Sequence, residues 1–413
     1  MFERRAPIRD KVSFSIDGRA IEAERGEPLA VALLAAGEGA LARSPKLHRP
    51  RGPACLRGDC DGCLARVDGV PNVMTCMRDA SGGEAIEAQN VLGSRKIDLL
   101  RLTDWFFPKG IDHHHLMAGI PGAQTVMQTV ARQMAGIGKL PDEAEPVRPA
   151  EKLGCDVLVV GAGLAGLACA AALVARGLEV LVVDDGPAPG GSALFAGEET
   201  AARARGLATR LGDRVRARTT CAGFYDADAL LAAPTGAAVV TPRVAVTATG
   251  AHDGFLVAPG NDLPGVIGAR AVAALAARGI LPKTGAVVVG DGPWAALVTA
   301  ALADRAIRTI AERDIEAIHG SAQVEGVTLR GGEEIACGVL AVATPLAPSF
   351  ELAEQRGAAT KRIDAGYAVA VDESGRATDG LFAVGECTGV AFDPDALIAA
   401  AERAAEAIAA VLK

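Results

Sequence analysis

Four cysteines share one short stretch of the chain and have the spacing Cys55-x4-Cys60-x2-Cys63-x12-Cys76. This spacing matches the plant-type loop whose four thiolates bind the two irons of a [2Fe-2S] cluster. The intervening Gly58 and Gly62 have no Cβ, so backbone N–H groups can approach the sulfides of such a cluster. Two alternatives stay open: a zinc site, which would require a second Cys-x2-Cys pair, and four unrelated buried thiols. The pattern favours an electron-carrying centre.

The elements around the cysteines indicate a small sheet that holds their loop. Alternating apolar residues with a turn at Asp17-Gly18 predict a β-hairpin, and a helix is expected to follow Pro28. A second tight hairpin turns at Asp68-Gly69, and its return strand leads to Cys76. This order of elements is typical of a β-grasp, ferredoxin-like domain.

A glycine-rich turn follows a short apolar strand that ends at Val160. Its glycines would make the tight turn, admit a pyrophosphate and permit close helix packing, and the following helix would present its N-terminal N–H groups to the phosphates. The next strand ends at Asp184, which would bind ribose hydroxyls, with Asp185 beside it as a further candidate. The other candidate residues of this dinucleotide site are Gly161, Gly163, Leu164, Ala165 and Gly166.

Three later motifs resemble those of the two-dinucleotide-binding flavoprotein family. Their candidate binding residues are Gly191 and Ser192, Thr249 and Gly250, and Gly385 and Glu386. The resemblance implies FAD at the first glycine turn, where a nicotinamide dehydrogenase would not need these motifs. In that family an acidic residue after the last strand, usually Asp, approaches the flavin ribityl and pyrophosphate, and Glu386 takes that place here.

A second strand–turn–helix unit carries Gly290 and Gly292, and its next strand ends at Glu312. Glu312 would favour NAD over NADP, although the adjacent Arg313 leaves this choice open. The stretch after Glu312 is short for the remaining helix and strand of a complete nicotinamide domain. Two interpretations therefore remain, a bound NAD and a structural Rossmann remnant.

Buried strands that alternate with long Ala-rich helices predict a doubly wound parallel sheet, so the fold class is α/β. The N-terminal β-grasp ferredoxin-like domain is followed by a Rossmann-type flavoprotein domain of the two-dinucleotide-binding (FAD/NAD(P)) kind. The expected boundaries are 1–92 for the [2Fe-2S] ferredoxin-like domain, 93–150 for a linker with a helix, and 151–413 for the FAD-binding domain, with the second, NAD-type Rossmann-like unit inserted at about 265–345.

The linker is expected to contain a helix from Lys96 to Phe107 and carries three consecutive histidines, His113 to His115. Consecutive side chains point in different directions on any regular backbone, so they make a poor single metal site. We expect them to form hydrogen bonds or to pack between domains.

Composition narrows the range of partners. The 413-residue chain has a formal net charge of −8 and a pI near 5.4, and its Lys and Arg are scattered without runs. It therefore lacks the electrostatic footprint of a nucleic-acid or anionic-membrane binder. No apolar stretch is long enough to span a bilayer, so a cytoplasmic protein is expected. An odd number of cysteines argues against a disulfide framework.

The cysteine loop, the run from Ser44 to Gly52 and the block from Ala248 through His252-Asp253 to Pro259–Gly265 resemble one family. It is the α-subunit family of heterotetrameric sarcosine oxidase, hydrogen cyanide synthase, opine oxidase and D-hydroxyproline dehydrogenase. Sarcosine oxidase α subunits lack a complete ligand set, whereas all four cysteines are present here. The chain ends at Lys413, soon after the flavin motif, so no methylene-transfer role is expected.

The resemblance implies a FAD- and [2Fe-2S]-dependent oxidoreductase subunit that transfers electrons within an amine or imino-acid dehydrogenase complex. Members usually pair with a flavoprotein β subunit that oxidises the substrate, and an acceptor protein or a quinone would take the electrons. The alternatives are a scaffold subunit with vestigial cofactor sites and a stand-alone NADH-dependent reductase.

Overall fold

The computed structural model describes residues 1–44, 48–89, 91, 94–95, 97–99, 102, 105, 122 and 149–413. The predicted role of His113 to His115 and most of the predicted linker helix lie outside these residues. The described residues form two compact units. One comprises those within Met1–Glu145 together with Leu256–Gly290 and Val298–Val342, and the other those within Pro146–Phe255 together with Asp291–Leu297 and Ala343–Lys413. Within the described ranges, every helix is too short or too polar to cross a membrane.

The first elements in chain order are β1 Phe2–Arg4, β2 Lys11–Ile16, β3 Arg19–Glu24, α1 Leu29–Ala35, β4 Ala42–Arg43, β5 Pro50–Arg51, β6 Leu64–Val67, β7 Val70–Met74 and β8 Ala85–Glu87. They are followed by β9 Glu151–Val160, α2 Leu164–Val174, β10 Val180–Val183, α3 Glu198–Leu211, β11 Val215–Arg216, β12 Thr220–Tyr225, β13 Asp228–Ala233, β14 Gly236–Thr247 and β15 Ala251–His252.

The chain continues with β16 Val266–Gly268, α4 Ala269–Ala277, β17 Ile280–Pro282, β18 Ala286–Gly290, α5 Gly292–Leu302, β19 Ala306–Ile310, β20 Ile315–His319, β21 Gly326–Leu329, β22 Glu334–Ala336 and β23 Val339–Ala343. The last elements are β24 Ala347–Pro348, α6 Glu351–Gln355, β25 Thr360–Ile363, β26 Gly366–Val369, β27 Arg376–Thr378, β28 Leu381–Ala383 and α7 Pro394–Leu412.

The N-terminal part of the first unit is a five-stranded sheet of order β3-β2-β8-β6-β7. Its first hairpin turns at Asp17 and Gly18, which both have positive φ, as the sequence predicts for a tight two-residue turn. Val12, Phe14 and Ile16 alternate with polar residues along β2 and are buried in one cluster with the inner face of α1. Apolar burial on one face of the sheet thus fixes the register of the hairpin. The β-grasp, ferredoxin-like architecture is confirmed.

The second part of the first unit contains a four-stranded sheet of order β16-β23-β18-β19. The short stretch after β19 forms a 3-10 turn, Glu312–Asp314, which leads directly into the three-stranded sheet β20-β21-β22. β19 therefore stays at the sheet edge, as expected from the short sequence. Strand β1 pairs antiparallel with β17, with Phe2 opposite Pro282. This pairing ties the start of the chain to the second sheet and was not predicted.

The second unit is built on a sheet of order β11-β10-β9-β14-β13-β12, with β28 beside β14. Strands β10, β9, β14 and β28 pair in parallel, so their carboxyl ends meet at one edge of the sheet. The residues of β9 from Val157 to Val160 are buried, because helices cover a parallel sheet on both faces. Helices α2 and α7 pack together, and the Asp393 side chain caps α7. The doubly wound α/β fold is confirmed.

Candidate functional site

The predicted cluster ligands converge on one loop of the first unit. Cys55 and Cys60 lie between β5 and β6, Cys63 immediately precedes β6, and Cys76 follows β7. The Sγ atoms of Cys55 and Cys60 are 3.4 Å apart, and the thiol of Cys76 forms hydrogen bonds with those of Cys55 and Cys63. All four sulfurs are therefore connected by direct contacts. Cys60 is half-buried and the other three are buried, so any group they held would be most accessible at Cys60.

The polypeptide around these sulfurs favours thiolates. The Arg57 N–H donates to Cys55 Sγ at 3.4 Å, and the N–H groups of Ala54 and Gly62 donate to Cys60. Such donors stabilise the ionised form of the acceptor. The hydrogen bond between the two thiols lowers the pKa of Cys55 and raises the pKa of Cys60, because one proton is shared by the pair.

This donor set fits a [2Fe-2S] cluster. Each iron of such a cluster takes two cysteine thiolates, so no single ion needs three protein ligands. In agreement, the part of the chain that the structure describes has no group of three or more His, Cys, Asp or Glu placed to hold a single metal ion. Four mutually contacting thiols on backbone donors suit two irons better than the tetrahedral zinc alternative.

The first glycine turn connects β9 to α2 in the second unit. Gly161 has φ of +107°, and a Cβ there would lie 2.2 Å from the Ala248 carbonyl oxygen. A Cβ at Gly166 would lie 2.0 Å from the Gly161 oxygen, so α2 packs directly on the turn. Leu164 and Ala165, also predicted, form the buried first turn of that helix. The glycines at both positions are therefore required by the fold itself.

Gly163 differs from its neighbours because an added Cβ would meet no atom within 4 Å. It is the N-cap of α2, with φ of −70° and ψ of 179° that any residue adopts. The protein alone thus gives no reason for glycine here. A pyrophosphate that approaches the helix N-terminus would give one, and the open space above Gly163 fits that group.

The later flavin motifs meet at the same turn. Gly191 lies against Gly163, since a Cβ on Gly191 would be 3.3 Å from the Gly163 Cα, and the following Ser192 belongs to a 3-10 helix, Gly191–Phe195. Gly385 lies against Ala165, since its Cβ would be 3.1 Å from the Ala165 Cβ. The structure therefore brings these segments together around the N-terminus of α2.

The other two predicted motif pairs lie in the same unit. Thr249 Oγ1 donates to the Ser349 carbonyl at 2.7 Å, and the Ser349 N–H donates to the Gly250 carbonyl at 3.0 Å, which fixes the end of β14. Glu386 begins the 3-10 helix Glu386–Thr388 directly after Gly385. The backbone that would surround a flavin is thus held by local hydrogen bonds.

The predicted ribose-binding acid is held by its own glycine turn. Asp184 Oδ2 accepts the Ala162 N–H at 2.6 Å, and Asp184 Oδ1 accepts the Gly186 N–H at 2.9 Å. These bonds orient the carboxylate at the end of β10, beside the turn. The neighbouring Asp185 is exposed. Asp184 is therefore the better-placed of the two for ribose hydroxyls.

Gly190 is a site residue that the sequence reasoning missed. Its N–H donates to the Ala162 carbonyl at 2.8 Å, and its φ is +123°. A Cβ at Gly190 would lie 2.6 Å from the side chain of Leu194. The Gly190-Gly191 pair was the available signal, because two successive glycines indicate a close backbone approach.

The second glycine turn has a different local setting. Gly290 and Gly292 both have positive φ, and Gly292 starts α5. In the first unit, the Glu312 carboxylate accepts the Val257 N–H at 3.1 Å, so this acid is engaged by a distant loop. In the second unit, the Trp294 ring lies 5.0 Å from that of Phe392. The binding of NAD at this turn stays a prediction.

Comparison with known proteins gives the same two parts. A family model for a 2Fe-2S iron-sulfur cluster binding domain matches residues 9–91, and one for an NAD(P)-binding Rossmann-like domain matches residues 159–203. The alpha subunit of sarcosine oxidase from Rhizobium meliloti (strain 1021) is 32% identical over 315 residues, which are 68% of this chain and 32% of that protein. The corresponding opine oxidase protein of Agrobacterium tumefaciens (strain Ach5), its A subunit, is 30% identical over 179 residues, or 37% of this chain and 35% of that protein.

Solved structures show the same fold. L-proline dehydrogenase from P. horikoshii is similar with a TM-score of 0.74 at 20% identity, covering 96% of this chain and 72% of that one. T. acidophilum thioredoxin reductase has a TM-score of 0.52 at 17% identity, covering 62% of this chain and 98% of that one. The chain spans about a third of the length of the curated relatives it matches.

Fold, thiol loop and glycine cradle together define a FAD-dependent oxidoreductase with an N-terminal [2Fe-2S] domain, so the predicted enzyme class and both cofactors are confirmed. Within that class, the chain belongs to the α-subunit family of sarcosine oxidase and opine oxidase, as its motifs suggest.

Proposed function

We propose that this chain is the electron-transfer subunit of a complex that oxidises an amine or imino acid of the sarcosine, opine or hydroxyproline type. The names of its relatives, which are subunits of sarcosine oxidase and opine oxidase, support this class of substrate. A flavoprotein β subunit would carry out the substrate oxidation. An acceptor protein or a quinone would then receive the electrons.

The observation that carries the proposal is the presence of a complete thiol set and a complete flavin cradle in one chain. Bound FAD exchanges electron pairs for single electrons, and a [2Fe-2S] cluster carries single electrons. The chain's own residues hold these groups. Cys55, Cys60, Cys63 and Cys76 would ligate the irons, and the N–H donors of the loop would lower the energy of the anionic sulfurs.

At the flavin end, backbone groups do the binding. The N-terminal N–H groups of α2 would donate to the pyrophosphate over Gly163, and Asp184 would accept hydrogen bonds from the ribose hydroxyls. We assign no proton-transfer step to this chain, because exchange between two electron carriers requires no acid or base from the protein. Substrate oxidation would require such groups, and we place them on the β subunit.

Purified full-length chain tests the proposal. We expect flavin and iron–sulfur bands in the visible spectrum, with about one FAD, two irons and two acid-labile sulfides per chain. Flavin bands without iron would contradict the cluster, and a colourless chain that can be reconstituted with neither group would support a scaffold. Bleaching by NADH without a partner would favour a stand-alone reductase.

A partner test addresses the substrate. Sarcosine, an opine and hydroxyproline should each leave the spectrum of the isolated chain unchanged. After co-expression with a flavoprotein β subunit, one of them should reduce both cofactors of the complex. Reduction of the isolated chain by any of these substrates would contradict the division of labour between subunits.

A further inference from the structure

Two sequence segments that no cofactor uses contact each other within the first unit. One is the run 44–52, of which residues 48–52 are used here, and the other is Pro259–Gly265. Arg51 Nη1 lies 2.9 Å from Asp262 Oδ2 and donates to the Asp262 carbonyl at 3.3 Å. Arg49 Nη1 lies 3.5 Å from the same carboxylate oxygen. The Asp262 side chain is only 20% exposed, so solvent screens these pairs incompletely.

The contact continues from this ion pair into the cysteine loop. A Cβ on Gly52 would lie 3.0 Å from Pro264 Cβ and 2.4 Å from the Gly39 carbonyl oxygen. A Cβ on Gly62 would lie 2.0 Å from the Gly52 oxygen. Pro264, Gly52 and Gly62 are therefore stacked at contact distance. Gly62 stands between Cys60 and Cys63, so a shift of Pro264 would be felt at two sulfurs.

A second contact reaches the other end of the loop. The Gly268 N–H, at the end of β16, donates to the Ala54 carbonyl at 2.8 Å. The N–H of the same Ala54 donates to the Cys60 thiol, and Ala54 immediately precedes Cys55. One residue thus connects the second sheet of this unit with two sulfurs. The segment from Asp262 to Gly268 touches the cysteine loop at both ends.

We propose that Asp262 is a positioning residue for the iron–sulfur cluster, acting through Arg51 on the loop that carries the thiols. The inference rests on the proposed cluster ligands. The second Rossmann-like part of the chain then has a function that needs no nucleotide: it fixes the geometry of the cysteine loop. Asp262 touches neither sulfur nor iron, so its effect must appear in the cluster's environment and retention rather than in its stoichiometry of ligands.

The test compares Asp262→Asn with wild type in the full-length chain loaded with both cofactors. The variant keeps the size of the side chain and removes its charge. We expect the EPR g-values of the reduced cluster to shift and broaden, and iron loss to a chelator to accelerate about tenfold, equivalent to about 1.4 kcal/mol. FAD content should not change, because the flavin cradle lies in the other unit. Asp304→Asn, at an exposed position on the 3-10 turn Ala303–Arg305 of the same unit, is the matched control.

A double-mutant cycle separates positioning from general destabilisation. Arg51→Gln should accelerate iron loss as Asp262→Asn does, and the double variant should be little worse than either single one. High salt should accelerate iron loss in wild type and much less in Asp262→Asn, since the ion pair is absent there. Asp262→Glu, which keeps the charge, should restore part of the retention if Asp262→Asn fails to fold.

Three results would overturn the proposal: an unchanged EPR spectrum with unchanged iron loss in Asp262→Asn, equal effects of Asp262→Asn and Asp304→Asn, or additive effects of the Arg51 and Asp262 substitutions. A wild-type chain that cannot take up iron would be a different failure. It would contradict the proposed electron-transfer function, and the comparison of variants would then have no cluster to report.

Discussion

Replacement of Gly163 by Ala separates the demands of the fold from those of the ligand at the flavin cradle. An alanine Cβ at this position meets no protein atom within 4 Å, and the backbone conformation is one that alanine adopts freely. We therefore expect the stability of the ligand-free chain to change by no more than about 0.5 kcal/mol. The same methyl group would occupy the space over the first N–H groups of α2, where the pyrophosphate is expected to approach.

The size of the effect on FAD follows from that overlap. Forcing one extra methyl group into a closely packed contact costs about 1–3 kcal/mol. This corresponds to a dissociation constant for FAD that is about 5- to 150-fold larger. Titration of the flavin-free chain with FAD, followed by flavin fluorescence, measures this constant directly. Iron content should stay at the wild-type level, because the cysteine loop belongs to the other unit.

Two other glycines of the second unit serve as controls. Gly206 lies inside helix α3, where an added Cβ also meets no atom within 4 Å, so Gly206→Ala should leave FAD binding unchanged and stabilise the chain by about 0.5–1 kcal/mol. Gly166→Ala would place a Cβ 2.0 Å from a carbonyl oxygen and should lower the melting temperature even without FAD. If Gly163→Ala binds FAD as tightly as wild type, the pyrophosphate does not lie over α2 and the assignment of the cradle is wrong.

Three further substitutions test other parts of the chain. Cys60→Ser should abolish the iron–sulfur bands and leave FAD bound, whereas Cys221→Ser, a half-buried cysteine of the other unit, should change neither; loss of both cofactors in Cys60→Ser would contradict independent sites. Glu27→Gln should destabilise the first unit by about 3 kcal/mol in calorimetry, because Glu27 is 5% exposed and accepts Arg4 Nη2 at 2.6 and 2.8 Å; a change below about 1 kcal/mol would show that this pair is energetically neutral. Hydrogen bonding from a backbone N–H lowers the pKa of Asp156 below its usual value, so this carboxylate stabilises the fold above about pH 4 and the contribution is lost as the pH falls through the lowered pKa. Asp156→Asn should therefore flatten the pH dependence of the melting temperature between about pH 5 and pH 3, and an unchanged slope would contradict the assignment.

Local patterns in the sequence predicted most elements of both units. The turn at Asp17-Gly18 was predictable because type I′ turns require positive φ at two adjacent residues, which Asp-Gly tolerates. The position of α2 was predictable because glycine spacing reports contacts inside one strand–turn–helix unit. The pairing of β1 with β17 was not predictable in this way. The three residues Phe2–Arg4 carry too little periodicity to specify a partner, and Ile280–Pro282 lies far along the chain.

The same limit applied to the sites. Residue types and spacing predicted the four thiols and the first glycine turn, because each set is brought together by one loop or by neighbouring parallel strands. Contacts between distant loops could not be predicted. The ion pair between Arg51 and Asp262 depends on a loop that arrives from the second sheet, and no local pattern reports it. Family-like motifs at both places indicated that the residues mattered, but not that they meet.

The two glycine turns of this chain show why similar patterns need not have similar functions. At the first turn, both oxygens of Asp184 accept N–H groups of adjacent loop residues, Ala162 and Gly186, so the carboxylate stays beside the glycines. At the second turn, Glu312 accepts the N–H of Val257, and β19 ends at the sheet edge without a further helix and parallel strand among the described residues. An NAD ribose would have to compete with that hydrogen bond for the carboxylate. The geometry of the second turn therefore favours a role in holding its neighbours, such as the cysteine loop, over tight binding of a nicotinamide cofactor.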